Sequence, residues 1–164
     1  MRTQAKLARG AHMDDKEENF SLRSDRMRTV PVLSFDQIQN AMKAMIDEAM
    51  KTPHEPVAMA IVDDAGNLVA FSKMDNLRLY SRRHAIRKAY TAVVMGMDSV
   101  VHAEHLHGQG RSISETGDPN LTYAPGGIVI KVDGIIVGGI GVGGYVSGLR
   151  DQDLARIGLG AMNV

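Results

Sequence analysis

Arg82, Lys88, Glu115 and the cluster His102, His105 and His107 are the residues whose types and spacing could do chemistry. At about 100° per residue, Arg82 falls on the helical face of Ile86, Ala89 and Val93. A guanidinium on an apolar face needs an anion, because an unpaired buried charge is very costly. A bound carboxylate held by its planar fork would serve. So would a structural acid such as Asp75 or Asp118, or an outward path to solvent from the first helical turn. Lys88 lies on the flank of the same helix, as a pocket-wall cation, a general acid or a solvated side chain. His102-Ala103-Glu104-His105 sets two imidazoles three residues apart, a workable chelating spacing. No third ligand is identifiable, so no metal site is assigned. His105 remains a candidate proton carrier near neutral pH. Glu115 shares a polar loop with Thr116, Asp118 and Tyr123. It is the candidate general acid or base, against the alternative of a solvated loop carboxylate.

These groups must be positioned by the elements around them. Pro125-Gly126-Gly127, Ile128 to Val132, Asp133-Gly134, Ile135 to Ile140 and Gly141-Val142-Gly143-Gly144 read as loop, strand, turn, strand and loop. Asp-Gly between apolar runs is a strong hairpin signal, since a type I′ turn needs positive φ at both central residues. Both glycine loops then lie at one end of the hairpin. Backbone without side chains there could admit a ligand to N–H groups, or could serve only tight turns and close packing. Gly126, Gly127, Gly141, Val142, Gly143 and Gly144, with Arg82, Lys88 and Tyr123, are the candidate ligand-binding residues. Gly139, Gly141 and Gly144 also satisfy G-x-G-x-x-G. Too little chain follows for the helix, strand and acid of a dinucleotide fold.

Ser34 with Gln37 fits a capping box, and Ile38, Ala41, Met42, Met45, Ile46 and Ala49 recur at helical spacing. Val57 to Val62, the turn Asp63 to Asn67, and Leu68 to Met74 form a first hairpin. Helices are expected at about 79–95, 99–107 and 151–161. The order predicts an α+β fold: a central antiparallel sheet of about five strands with helices packed on its faces. Residues 1–28 are polar and charged and read as a mobile N-terminal arm. Residues 29–164 read as one domain.

The 164 residues carry 19 basic and 19 acidic side chains and no cysteine. The charge balance argues against a nucleic-acid partner. The missing thiols exclude disulfides and cysteine nucleophiles. No apolar run spans a bilayer and no secretory signal is evident, so the expectation is a soluble cytoplasmic protein.

Ala60-Ile61-Val62-Asp63-Asp64-Ala65-Gly66-Asn67-Leu68-Val69-Ala70, Lys73-Met74-Asp75, Ala85 to Ala92 and Pro125-Gly126-Gly127 through Gly144 together resemble the GlcG/HbpS family, also seen as the C-terminal domain of PduO-type proteins. The resemblance covers roughly residues 33–161. It implies a homo-oligomer, often built of dimers, with a small pocket near the glycine loops, and Lys88 matches a family position. It also implies a small-molecule ligand, most often haem or a related tetrapyrrole. A second expectation is a cofactor-independent lyase on a small aromatic acid, such as a 4-hydroxylaminobenzoate lyase, with Arg82 on the carboxylate and Glu115 or a histidine moving protons. A third is an oligomeric scaffold without ligand. The chain departs from the family at Asn76 to His84, which is large and basic where a small or polar stretch is common, and this alters the pocket.

Overall fold

Asp133 and Gly134 both adopt positive φ, 49° and 79°, so the second hairpin closes on the type I′ turn expected of Asp-Gly. A computed structural model describes residues 29–164; the expected N-terminal arm lies outside them. The first helix, α1 (Phe35–Ala49), opens on the expected capping box. Ser34 Oγ accepts from the Gln37 N–H, and Gln37 Oε1 accepts from the Ser34 N–H. Then follow β1 (Ala58–Asp63), β2 (Leu68–Lys73), α2 (Leu79–Met95), α3 (Ser99–Gly108), a 3₁₀ turn (Ile113–Thr116), β3 (Gly127–Val132), β4 (Ile135–Gly143) and α4 (Gly148–Gly160). At the β1–β2 turn, Asp63 Oδ1 accepts from the N–H groups of Ala65 and Asn67.

The two hairpins join through β1 and β4, giving the order β2-β1-β4-β3 with every neighbour antiparallel. The sheet therefore has four strands rather than about five. One reason is visible at the β3 edge. Asp98, which precedes α3, accepts from the Val129 N–H at 3.0 Å and pairs with Arg156 at 3.0 Å. A side chain thus occupies the edge where a further strand would bond.

Alternation along the central strands sorts the two faces. Met59, Ile61, Ile140 and Val142 pack with Met42 and Met45 of α1 and Leu154 of α4. On the opposite face, Ala58, Ala60 and Val62 meet Ala85, Ala89 and Val93 of α2. Here the glycines of β4 find their use. A Cβ on Gly141 would stand 2.0 Å from the Ala85 carbonyl oxygen, and one on Gly127 would stand 2.2 Å from that of Lys88. The backbone of α2 lies directly on the sheet.

Candidate functional site

Lys88 is neither on a solvated flank nor in an open pocket wall. Its side chain is 3% exposed, and its Nζ lies 2.6 Å from Asp151 Oδ2. Asp151 Oδ1 accepts from the Tyr145 N–H at 3.2 Å. The pair runs past the end of the sheet and ties α2 to α4 across it. Gly126, at φ 113°, makes room: a Cβ there would lie 2.7 Å from Asp151 Cβ and 3.0 Å from Lys88 Nζ. Burial pushes the Lys88 ammonium down and the Asp151 carboxyl up, and each partner's charge opposes that shift. Asp151 was not among the expected site residues, because nothing local marks an acid 63 positions away as the partner of Lys88.

The space beside these loop glycines is taken up by close packing and by the ion pair. Gly127, Gly141 and Gly143 face α2 backbone, and Gly144 abuts the Pro56 carbonyl. The Arg82 guanidinium donates to the Leu77 carbonyl from Nε (3.1 Å) and Nη2 (2.7 Å). It therefore satisfies the backbone leading into α2, and among the described residues no acid pairs with it. Glu115 is exposed and accepts from the Ser112 N–H at 2.8 Å and Arg111 Nε at 3.0 Å. The Ser112 backbone contact and the Arg111 contact hold its carboxyl below the usual range. A general acid would need the opposite shift. Tyr123 accepts from the Ile113 N–H and donates to Ser112 Oγ, which ties down the 3₁₀ turn. His102 is buried while His105 is exposed beside Gln109, so the pair does not converge as chelators. Among the described residues, no group of three or more His, Asp or Glu could hold a metal ion.

The chemistry gathers elsewhere along α2. A cleft of about 730 Å³ is lined by Leu79, Tyr80, Arg83, His84, Ile86 and Arg87, with Pro119 and Asn120 opposite. The opposing loop is fastened to α2 at one-turn intervals. Thr122 Oγ1 meets His84 Nε2 at 3.1 Å, Arg87 Nη2 donates to the Leu121 carbonyl at 2.6 Å, and the Tyr90 hydroxyl donates to Asp118 at 2.9 Å. His84 is buried, and its ring lies 4.8 Å from that of Tyr80. Two nitrogens here, His84 Nδ1 and Arg87 Nε, are buried without a partner among the described residues. The sequence signal for this cleft was the large, basic stretch ending at His84, where the chain departs from its relatives' pattern.

Burial, and then the charges of Lys88 and Arg87, push His84 down from 6.5 to about 4. The ring is neutral at pH 7 in the folded protein and protonates first in the unfolded chain. Its contribution is full above about pH 6.5 and is lost as pH falls toward about 4, at no more than about 1.4 kcal/mol per pH unit. Melting temperatures of the native protein and of His84→Gln, followed from pH 7 to 4, are expected to converge as the pH falls. Parallel curves would show that His84 carries none of the acid sensitivity.

Residues 33–160 match the family described as haem degrading protein HbpS-like. The chain belongs to this family. This HbpS-like chain is 34% identical over 116 residues to Protein GlcG of Escherichia coli strain K12, covering 71% of this chain and 84% of that protein. A double mutant of HbpS from Streptomyces reticuli has a similar structure, with TM-score 0.73 and 26% identity, covering 98% of this chain and 97% of that one. PduOC, solved in complex with haem, gives TM-score 0.74 and 28% identity, covering 82% and 97%. Among the described residues, no helix of this HbpS-like chain is long and apolar enough to cross a membrane.

Proposed function

We propose that this protein binds haem or a related tetrapyrrole in the cleft between α2 and the 117–123 loop. The observation that carries the reading is the composition of that cleft. Its volume, about 730 Å³, lies within the range of cofactor sites, roughly 300–1,000 Å³. Leu79, Tyr80 and Ile86 offer apolar area to a macrocycle. Arg83 and Arg87 offer cations to its carboxylates. The two buried nitrogens without partners among the described residues fit a ligand that brings polar groups. A bound haem would supply an iron centre able to take axial ligands. The protein's part is to hold the ring, neutralise its carboxylates and limit access of water. The structure of PduOC with haem, at 28% identity, supports the same ligand class.

Titrating the purified protein with haemin is expected to give a saturable, shifted absorbance band. Arg83→Ala, a change on the outer rim, should weaken it by about tenfold, the value of one charge-assisted pair. An absent band with saturable benzoate binding would move the assignment to a small aromatic acid. An absent band with no benzoate binding would leave the cleft without a ligand function.

A further inference from the structure

We infer that His84 and Arg87 form a paired donor site for a ligand carboxylate, with His84 locked as its Nδ1–H tautomer by Thr122. The inference rests on the cleft beside α2 being the ligand site. It adds which protein atoms meet the ligand and what group they recognise.

The tautomer follows from a chain of hydrogen bonds whose directions can be read in order. The Thr91 hydroxyl donates to the Arg87 carbonyl at 2.8 Å. Thr91 Oγ1 then accepts from the Thr122 N–H at 3.1 Å. Thr122 Oγ1 accepts from the Ala124 N–H at 3.3 Å. The Thr122 hydroxyl proton has one acceptor left, His84 Nε2 at 3.1 Å. A neutral ring that accepts at Nε2 carries its proton at Nδ1. The reverse tautomer would strand two groups in the interior, the Thr122 hydroxyl proton and the Nδ1 lone pair. The assigned tautomer strands only the Nδ1–H.

That remaining donor has a companion one helical turn along. Arg87 spends Nη2 on the Leu121 carbonyl, while its Nε–H is buried and without a partner among the described residues. Residues three apart share a helix face, and both line the same cleft. A buried donor without an acceptor costs about 1–3 kcal/mol. Both belong to residues that line the cleft, and an acceptor that the ligand brings would satisfy them both. A carboxylate has two oxygens and only accepts. A neutral imidazole N–H beside a guanidinium offers it two donors and one compensating charge. Nε2 is committed to Thr122 and is not free to take a metal.

The test reads the ring nitrogens of the ligand-free full chain by long-range ¹H–¹⁵N spectra at pH 7, with His84 identified by its loss in His84→Gln. The expected pattern is a protonated Nδ1 and an unprotonated Nε2. Thr122→Val should mix the tautomers, and Thr122→Ser should restore the original pattern. Adding benzoate should move the Nδ1–H proton downfield, whereas benzyl alcohol, of similar size without the carboxylate, should not. Arg87→Lys keeps the charge but loses the Nε–H, and should weaken benzoate at least tenfold. An Nε2–H tautomer in the native protein, or a benzoate-saturated protein with the Nδ1–H unmoved, would overturn the inference. These readouts need no haem. A failed haemin titration with an intact benzoate response removes the tetrapyrrole and keeps the donor pair. A haemin band with an Nδ1 that loses its proton removes the donor pair and keeps the tetrapyrrole.

Discussion

Lys88→Ala is expected to destabilise the protein by about 3–5 kcal/mol, the range for breaking a buried pair by removing one partner. Asp151 would be left 3% exposed with its charge uncompensated, and its surviving contact, the Tyr145 N–H, cannot neutralise it. Thermal melts followed by circular dichroism should show the midpoint lower by about 6–20 °C for a chain of this size. Lys88→Met with Asp151→Asn should recover most of the loss. The methionine fills the volume, and the amide oxygen still accepts from Tyr145. A double-mutant cycle through Lys88→Met and Asp151→Asn measures the coupling directly. A small loss for Lys88→Ala alone would mean that water reaches the pair and that α2 and α4 are held by apolar packing instead.

Gly141→Ala is expected to be comparably severe, about 3 kcal/mol or more, at the top of the range for overpacking. The added methyl would meet backbone on both sides: the Ala85 carbonyl oxygen at 2.0 Å and the Ala89 nitrogen at 2.5 Å. No rotamer relieves a clash with a helix backbone, so α2 must lift from the sheet. That movement would break the contacts of Ala89 and Val93 with Val62 and disturb the cleft that α2 lines. Gly160→Ala is the matched control. Nothing lies within 4 Å of its added carbon, and alanine in a helix is favoured over glycine by up to about 1 kcal/mol. Its unfolding midpoint in urea should be unchanged or slightly raised. Equal midpoints for Gly141→Ala and the native protein would refute the close helix–sheet contact.

The elements were legible because each has a local cause. Ser34 and Gln37 cap a helix wherever they stand three apart before an apolar stripe. Asp133-Gly134 closes a hairpin because those two residues tolerate positive φ. Ala85, Ala89 and Ala92 announce a helix that packs closely. The antiparallel α+β class follows from two hairpins with helices between them. The strand count did not follow in the same way. About five rested on typical sheet size, whereas the two hairpins supply four strands, and a side chain from the residue before α3 sits at the β3 edge.

The site divides on the same line. The importance of α2, of Lys88 and of the glycine loops was readable, and so was the departure at Asn76 to His84. What each residue does was not. Lys88 looked like a flank residue because helical periodicity gives direction around an axis, not what lies beyond it. Its burial depends on Asp151, which arrives from α4 across the end of the sheet. Arg82 left a bound carboxylate, a structural acid and a path to solvent all open, because its acceptor is a backbone carbonyl, which no residue type reveals. Glu115 looked like a loop acid, and its capping contacts hold it ionised.

By itself, the sequence determined the helices, the two hairpins, their antiparallel pairing and the close seat of α2, since these rest on φ preferences, capping and side-chain period. Only the tertiary structure decided which charges are buried together and which donors are left without partners. Those outcomes depend on distances between segments far apart in the chain, among them Lys88 and Asp151, and His84 and Thr122. A buried polar group is defined by its whole surroundings, and local sequence carries only one side of them.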